Sequence, residues 1–454
     1  MHRKYIIASK NETLTLLPVN QFYIGFFSKF DGILKVTAMK PIHYLFISFV
    51  ALFAVSCNSD ENPTGETALF AVPVVKSLAE IRSSVGVSEA VETNSDGKIY
   101  VTEDALFYIA KEEGVHILDN SNPVSPQNTA FISLEGVHDI AVKGNFLYAD
   151  NYVDLLVFDI SDLENITLVK TVQNALSFLP AYPENAEFYD YTQGANEGEI
   201  IIGFELETRE RPEGMMLEDF DSNGGVPTSN GGNVVGIGGS YAKFQINNDA
   251  LYTVDSYQLN VFNISSPANT FYDKAVYLTE WMGGGEFETL FQQRDFLFVG
   301  STTGMYVVDA SDEFNPFFLS GFSHATACDP VVVYGNTAYI TVRGGSSCGA
   351  IEDQINVINV TDMANPSLIS TTLLDQPYGL GINNNILYVC TGSNGLKVFD
   401  ASDSANLTLE NSYTESVTDV IPLTSHLIAV GPNKIIQYNY GSGFSLTPIS
   451  TVNF

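Results

Sequence analysis

The sequence predicts an all-β fold, a β-propeller of about seven four-stranded blades with a short N-terminal helix. The first observation is a recurring segment, of which residues 304–316 (GMYVVDASDEFNP) are the clearest copy. The second is its spacing, which is close to the roughly 40–45 residues of a four-stranded blade. The third is a hairpin that precedes the segment in each unit. Because such a unit cannot bury its own apolar face, it must stack on its neighbours.

Seven copies of one turn residue indicate the blade count. They are Asp119, Asp159, Asn263, Asp309, Asn359, Asp400 and Asn439. The successive spacings are 40, 104, 46, 50, 41 and 39 residues. The long gap has two interpretations, an insertion at about residues 170–240 or an eighth blade. We favour the insertion, because no second turn signature lies in the gap, and long insertions in repeat proteins often lie on the binding face.

The chain begins with a predicted leader. Residues 39–56 place a charged start before a short apolar run that ends just before Cys57. The run is shorter than the about 20 residues that a membrane span needs. Its end, LFAVSC, resembles a bacterial lipoprotein signal, although Ala54 stands where that signal usually has Leu. The resemblance implies cleavage before Cys57, lipidation of this cysteine and anchoring through acyl chains. The alternative is an ordinary signal peptide.

Two segments flank this leader. We interpret residues 1–38 as an upstream extension from a start codon assigned too early, with Met39 as the true start. Residues 57–68 are polar, contain Pro and Gly, and predict a flexible tether. The acidic pair at residues 60–61 is similar to surface-export signals of Bacteroidetes lipoproteins. We therefore expect an outer-membrane lipoprotein, exposed at the cell surface, with one propeller domain over residues 69–454.

The domain is predicted to begin with a short helix, which is followed by hairpins. Ser77 and Glu80 have the spacing of a capping box, which predicts one short helix over residues 77–82. Residues 139–149 predict the hairpin that begins each unit. Gly144 and Asn145 form its turn, because both residues adopt positive φ at little cost. A strand follows each Asn-Pro turn, so each unit has about four strands. Within the insertion, residues 198–207 predict another strand.

The composition excludes one class of partner. The chain carries 20 Lys and Arg against 53 Asp and Glu, a formal net charge of −33. This charge repels nucleic-acid phosphates, so we expect no nucleic-acid partner. Solubility is the simplest use of the acidity, and attraction of cations is the alternative.

Two cysteines flank a predicted hairpin at residues 331–342, namely Cys328 and Cys348. In an exported protein they predict a disulfide, which would contribute roughly 3 kcal/mol by closing a loop of about 20 residues. A thiolate metal site is the alternative, but no His accompanies the pair. Cys390 lies within a strand and is typical of a small buried apolar side chain.

The Asp-rich turns raise the question of calcium as a cofactor. Residues 309–314 place Phe314 where an EF-hand loop needs Gly. We expect instead that the turn side chains accept hydrogen bonds from nearby backbone N–H groups. Calcium is the less favoured alternative.

The register of the first strands predicts a candidate site at one mouth of the central channel. Aligning the units on Asn145 places several polar side chains at equivalent strand starts. The candidate ligand-binding residues are His138, Asp139, Glu288, Asp329, Tyr378, Asp419, Lys98 and Lys243. Such a ring suits a cation or a small polar ligand. The alternative is a hydrated channel whose charges pair with one another, for example Asp139 with Lys98. The site hypothesis requires His138, Asp329 and Tyr378 to converge in one pocket.

Motifs for catalysis are missing from the sequence. It contains no Gly-x-Ser-x-Gly, His-Glu-x-x-His or phosphate-binding loop. We therefore expect a non-enzymatic protein that presents a binding face for a protein, a glycan or a small polar ligand. One alternative is an enzyme or metal-binding protein with its site at the channel mouth. Another is a purely structural component of the cell envelope.

Several strand phrases resemble the LVIVD repeat. They are residues 306–309 (YVVD), 156–159 (LVFD), 144–148 (GNFLY) and 328–333 (CDPVVV). The resemblance covers roughly residues 70–440 and implies a β-propeller, commonly exported and often a lipoprotein. Because the family has no catalytic residues to transfer, the resemblance predicts fold and location but no chemistry.

Overall fold

The computed structural model describes residues 67–92, 97–211, 237–278, 286–323, 330–344 and 352–454. The predicted leader, Cys57, Cys328, Asp329 and Cys348 lie outside these residues. Within them, no helix has both the length and the apolar character needed to cross a bilayer.

The described chain starts with the strand Thr67–Ser77 and the helix Leu78–Ser83. Ser77 Oγ accepts a hydrogen bond from the Glu80 N–H at 3.1 Å, and the Glu80 carboxylate accepts one from the Ser77 N–H at 3.3 Å. The predicted helix and its capping box are therefore confirmed. The Arg82 guanidinium donates to both carboxylate oxygens of buried Asp154, at 2.6 and 2.9 Å, which fixes the helix against the second blade.

Seven four-stranded antiparallel meanders follow within the described residues, as the seven turn residues predict. Within each blade the strands lie side by side in chain order. The strands of blade 1 are Gly97–Val101, Ala105–Ala110, Gly114–Asp119 and Gln127–Ser133. Those of blade 2 are Ile140–Lys143, Phe146–Asn151, Asp154–Asp159 and Thr167–Val172. Those of blade 3 are Phe244–Asn247, Ala250–Val254, Gln258–Asn263 and Phe271–Tyr277, with a 3₁₀ turn at Pro267–Asn269.

The other four blades repeat this pattern. The strands of blade 4 are Phe287–Gln293, Phe296–Ser301, Gly304–Asp309 and Phe317–Ser323. Those of blade 5 are Val331–Tyr334, Thr337–Val342, Gln354–Asn359 and Ser367–Leu373. Those of blade 6 are Leu380–Asn383, Ile386–Cys390, Leu396–Asp400 and Thr408–Tyr413. Those of blade 7 are Asp419–Pro422, His426–Gly431, Lys434–Tyr440 and Leu446–Asn453.

The seven blades share the same irregularity in strand pairing, as expected for a repeated unit. In every blade the pairing of the third and fourth strands shifts register by one residue just before the turn residue. In blades 1 to 6 the turn residue accepts the backbone N–H two positions further on, as when Asp309 Oδ1 accepts from the Ser311 N–H at 2.9 Å. In the same turn, Asn315 Nδ2 donates to Asp312 Oδ2 at 2.9 Å. The turns are thus stabilised by their own side chains, as expected for Asx turns.

The blades bury their apolar faces against each other in a closed ring. Buried clusters join each blade to the next. One more cluster joins blade 7 to blade 1 and contains Ile428 and Ile99. The side-chain amides of Asn120 and Gln437 bond to each other across this junction, at 2.7 and 3.3 Å. Because all four strands of each meander are consecutive in the chain, the ring closes by packing rather than by a blade shared between the two ends.

Residues between blades 2 and 3 form structure outside the seven meanders. Glu199–Glu210 pairs with Thr67–Ser77, and Phe188–Tyr189 pairs with the other edge of that same strand. This three-stranded sheet thus joins the start of the domain to the insertion. Two short strands extend blade 1: Gly86–Glu89 pairs with its fourth strand, and Ile237–Gly238 pairs with its first strand. The first strands of neighbouring blades lie against one another, so Ile237–Gly238 lies at the centre of the ring.

Candidate functional site

Two adjoining cavities lie where the first strands of the blades begin, at one mouth of the channel. Each has a volume of about 310–320 Å³, and both are lined by Lys111 and His138. We call them the insertion cavity and the tyrosine cavity. The insertion cavity is also lined by Asp139, Lys243 and the insertion residues 176–181. The tyrosine cavity is lined by residues of blades 1, 2, 5, 6 and 7, among them Lys98, Arg343, Tyr378 and Asp419, and by Tyr241.

Residues 237–241, which we call the channel segment, cross the centre of the ring. Gly238 pairs with Tyr100 on the first strand of blade 1. Ser240 Oγ accepts a hydrogen bond from the Leu380 N–H of blade 6 at 2.9 Å and donates to Asp419 Oδ1 of blade 7 at 3.0 Å. A Cβ atom at Gly239 would overlap the Asp419 carboxylate, so glycine allows the close approach. The channel segment therefore occupies the centre of the ring and places Tyr241 in the wall of the tyrosine cavity.

Two of the predicted carboxylates connect neighbouring strands. Asp139 Oδ2 accepts from the backbone N–H groups of Lys243 and Phe244 in blade 3, at 2.7 and 3.1 Å. Asp419 Oδ1 accepts from the Ser240 N–H at 3.1 Å and from the N–H of Val420 at 2.9 Å. These carboxylates are buried, being 0% and 2% exposed. Asp139 thus links blade 2 to blade 3, and Asp419 links blade 7 to the channel segment.

A third buried carboxylate fixes the histidine of the mouth. Asp150 Oδ1 accepts from the His138 and Asp139 N–H groups, each at 2.8 Å. Asp150 Oδ2 lies 3.2 Å from His138 Nδ1. These contacts orient the half-buried imidazole, which lines both cavities.

Two of the lysines at the mouth are half-buried, namely Lys98 and Lys243, and Lys111 is exposed and lies 3.6 Å from Glu112. Lys98 Nζ donates to the His138 carbonyl oxygen at 2.7 Å. Burial lowers the pKa of Lys98 to about 8, and the nearby Asp139 opposes this shift. Burial likewise lowers the pKa of Lys243 and raises the pKa of Asp139 to about 6. Burial at the mouth therefore disfavours the charged forms of these groups.

The structure brings most of the predicted site residues together. Lys98, His138, Tyr378 and Asp419 line the tyrosine cavity, and Asp139 and Lys243 line the insertion cavity. His138 and Tyr378 thus share one pocket, as the site hypothesis requires, while Asp329 lies outside the described residues. Glu288 is buried and lines neither cavity. The Lys98 ammonium donates to a carbonyl rather than to Asp139, although Asp139 still raises its pKa. His138 and Asp150 do pair, so the alternative of a channel with paired charges remains.

Sequence reasoning missed Lys111, Tyr241 and Arg343. Lys111 follows the second strand of blade 1, and Arg343 follows the second strand of blade 5. In an antiparallel meander the end of the second strand lies beside the start of the first, so this position could have been included. Tyr241 could not have been found in this way, because the path of the channel segment is not encoded in the repeat.

The described residues contain no group of three or more His, Cys, Asp or Glu placed to hold a metal ion. Cys390 is fully buried with a free thiol, as its apolar strand predicts.

Comparison with known proteins identifies the repeat. The model of the LVIVD repeat matches residues 99–129, 136–174 and 379–415, which correspond to blades 1, 2 and 6. A search of curated proteins finds no match.

Solved structures resemble this chain at low identity. A periplasmic gluconolactonase of Pseudomonas aeruginosa has a TM-score of 0.49 at 10% identity, covering 79% of this chain and 96% of its own. The Cps50 β-propeller domain of Myceliophteria thermophila has a TM-score of 0.45 at 10% identity, covering 77% and 99%. BamB of Moraxella catarrhalis has a TM-score of 0.42 at 8% identity, covering 78% and 99%. Likenesses this distant say nothing about activity.

Proposed function

Because this chain is an LVIVD-repeat β-propeller, we propose that it is a non-enzymatic binding protein that takes a small polar ligand at its channel mouth. The ring supplies the rigid scaffold, and the strand starts and adjoining turns supply the polar groups. The insertion adds a side wall and the channel segment. A rigid scaffold that presents side chains from several elements in one concavity is the usual architecture of a binding site.

The observation that carries this proposal is the pair of adjoining cavities at the mouth. Their volumes of about 310 and 320 Å³ lie within the range of small-molecule sites, which is roughly 300–1,000 Å³. Hydrogen bonds already fix the carboxylates of Asp139, Asp150 and Asp419. The mouth is therefore organised before a ligand arrives, which reduces the entropy lost on binding.

The experiment that tests binding uses a substitution that fills the tyrosine cavity. Thr418 is a half-buried part of its lining, so Thr418→Trp places a large ring in the space that a ligand would occupy. A library of polar metabolites is tested by thermal shift against the wild type, Thr418→Trp and the control Thr408→Trp, which changes an exposed residue of the outermost strand of blade 6. We expect the ligands that stabilise the wild type and the control not to stabilise Thr418→Trp. Equal stabilisation of all three proteins would place binding elsewhere.

The proposal includes export and anchoring at the outer membrane. The support is the sequence of residues 39–57, with an apolar run and a cysteine where a lipoprotein is acylated. Cys57→Ala removes the acylated thiol, so the protein should move from the membrane fraction to the soluble fraction. Protease added to intact cells should digest the wild type if it faces outward. A Cys57→Ala protein that stays in the membrane fraction would contradict the anchor.

A catalytic role at the same mouth is the second candidate. The observation in its favour is the contact between His138 Nδ1 and Asp150 Oδ2 at 3.2 Å, an arrangement that orients an imidazole for proton transfer. If a ligand found in the screen is converted by the wild type and not by His138→Ala, the protein is an enzyme. If the ligand is recovered unchanged, the binding role stands.

A further inference from the structure

The described lining of the tyrosine cavity has more basic than acidic side chains, in contrast to the chain as a whole. Among the described residues, this lining contains three basic side chains, Lys98, Lys111 and Arg343, and one carboxylate, Asp419. Beyond this lining, Glu112 lies 3.6 Å from Lys111, and Asp139 and Asp150 act on the charge of Lys98. The chain as a whole has 20 basic and 53 acidic residues. An acidic protein that gathers cations in one concavity creates a local field that attracts anions.

The Lys98 ammonium has more N–H groups than the described residues have acceptors for it. Its ammonium carries three N–H groups, and the described residues provide one acceptor, the carbonyl oxygen of His138 at 2.7 Å. No described carboxylate lies within 4.0 Å of Lys98 Nζ. By contrast, Lys143 Nζ lies 2.6 Å from Asp249 and Lys434 Nζ lies 2.8 Å from Glu415. A half-buried ammonium with unused donors gains hydrogen bonds when an anion enters the cavity.

The one acidic group of the described lining does not accept a hydrogen bond from Lys98. Asp419 Oδ1 is already bonded to the N–H and hydroxyl of Ser240 and to the N–H of Val420, at 2.9–3.1 Å. Its side chain is packed against Gly239 and Gly379, where a Cβ atom would overlap it. Asp419 is therefore part of the junction between the channel segment and blade 7.

The rest of the lining suits a flat molecular body. The Arg343 guanidinium lies over the Tyr378 ring, with Cζ 4.4 Å from the ring centroid. A guanidinium held on an aromatic face is restricted in orientation, and its planar N–H groups match the geometry of a carboxylate or a phosphate. Tyr241 and Ile109 provide further apolar wall.

We propose that the tyrosine cavity binds a small anion whose carboxylate or phosphate group is joined to a flat or ring-shaped body. The anionic group contacts Lys98, Lys111 and Arg343, and the body lies against Tyr241 and Tyr378. This inference rests on the proposed function, since it specifies the ligand class of the same mouth.

The test compares charged and neutral probes of one shape. Benzoate, phenyl phosphate and the uncharged benzamide are titrated at millimolar concentration into the purified mature protein in detergent, with binding followed by saturation-transfer NMR. We expect both anions to bind and benzamide to bind at least tenfold more weakly, because charge-assisted hydrogen bonds are lost. The preferred anion distinguishes a carboxylate ligand from a phosphate ligand.

Variants locate the anion. Lys98→Met keeps most of the side-chain volume without the charge and should weaken benzoate binding about tenfold or more, while Lys98→Arg should retain it. Lys170→Met, on the outermost strand of blade 2, makes the same charge change away from the mouth and should have no effect. Lys111→Met changes an exposed side chain and keeps the test decisive if Lys98→Met does not fold.

The possible results distinguish failure of the anion proposal from failure of the proposed binding function. Benzamide binding as well as benzoate, no anion binding at all, or equal loss in Lys98→Met and Lys170→Met would each overturn the anion proposal. Ligands from the metabolite screen that still depend on Thr418 would leave the binding function intact. If the ligands from the screen stabilise Thr418→Trp as much as the wild type, the binding function itself is overturned.

Discussion

At the scale of single residues, burial decides what the polar groups of the ring can do. Asp139 and Asp419 are buried and bonded to backbone N–H groups, so they join strands around the axis. Lys98 and Lys243 are half-buried beside them, and burial lowers the pKa of each ammonium. The mouth therefore holds carboxylates fixed by hydrogen bonds and lysines with longer side chains, and we expect the lysines to contact a ligand.

Anion binding should depend on pH through Lys98. Its pKa lies at about 8, so the ammonium is charged at neutral pH and loses its charge as the pH rises through 8. The charged groups that act on it are Asp139, Asp150, Lys243 and Asp419. We expect benzoate affinity to fall about tenfold between pH 7 and pH 9, because a charge-assisted hydrogen bond is lost.

The same titration of Lys98→Met provides the comparison. Without the ammonium, the weak remaining affinity should change little over this range. A wild-type affinity that stays constant from pH 7 to pH 9 would show that Lys98 does not contact the anion.

Acid should destabilise the fold through His116. This side chain is 0% exposed, and its ring lies 4.7 Å from Phe131 and 5.0 Å from Phe454 between centroids. Burial lowers the pKa of His116 from 6.5 to about 4. The unfolded chain then takes up a proton near pH 6.5 and the folded chain only near pH 4. Stability present above pH 6.5 is thus lost as the pH falls towards 4, by at most about 3 kcal/mol.

Urea unfolding of the wild type and His116→Phe at several pH values measures this loss. The variant should lose less unfolding free energy than the wild type between pH 7 and pH 4. The acidic turns are common to both proteins, so their contribution cancels in the difference. Parallel pH profiles would mean that His116 is not responsible.

At the scale of elements, the sequence predicts what is local. The Asx turns, the Gly144 hairpin and the Ser77 capping box each depend on residues within a few positions, and all three form. The channel segment is different. Its contacts with Tyr100, Leu380 and Asp419 join residues more than 100 positions apart, and no periodic pattern specifies them.

Removing the Asp419 carboxylate should release the channel segment. Asp419→Ala leaves the buried N–H groups of Ser240 and Val420 without this acceptor, which should cost about 3 kcal/mol of unfolding free energy. Asp419→Asn keeps one acceptor oxygen of the same size and should cost clearly less. Chemical denaturation of both variants measures the difference. If the two variants lose the same stability, the hydrogen bonds to Asp419 are not what holds the segment.

At the scale of the whole molecule, the repeat predicts the ring but only part of the site. Register placed Lys98, His138, Asp139 and Asp419 at one mouth, because equivalent strand starts must meet around the axis. The position of Arg343 in the cavity wall depends on its stacking on Tyr378 from a different blade. Such contacts between blades arise from the curvature of the ring, and a single unit does not contain this information.

The junction of blades 1 and 7 should limit the stability of the ring. Phe454 stacks on Tyr108 with ring centroids 4.0 Å apart and planes 7° from parallel. Phe454→Ala removes this contact and should lower the unfolding free energy by about 2 kcal/mol. The matched control is Phe317→Ala on blade 4, because Phe317 is 52% exposed. Equal effects of the two changes in thermal unfolding would show that closure does not depend on this stack.

The central claim is that the channel mouth binds a small molecule, and a capture experiment tests it most directly. Wild-type protein and Thr418→Trp are each incubated with a small-molecule extract of cells, separated from free compounds by gel filtration and denatured, and the released compounds are identified by mass spectrometry. We predict that the wild type releases an anionic compound that Thr418→Trp does not. Release of the same compounds in the same amounts from both proteins, or of none from either, would contradict the account.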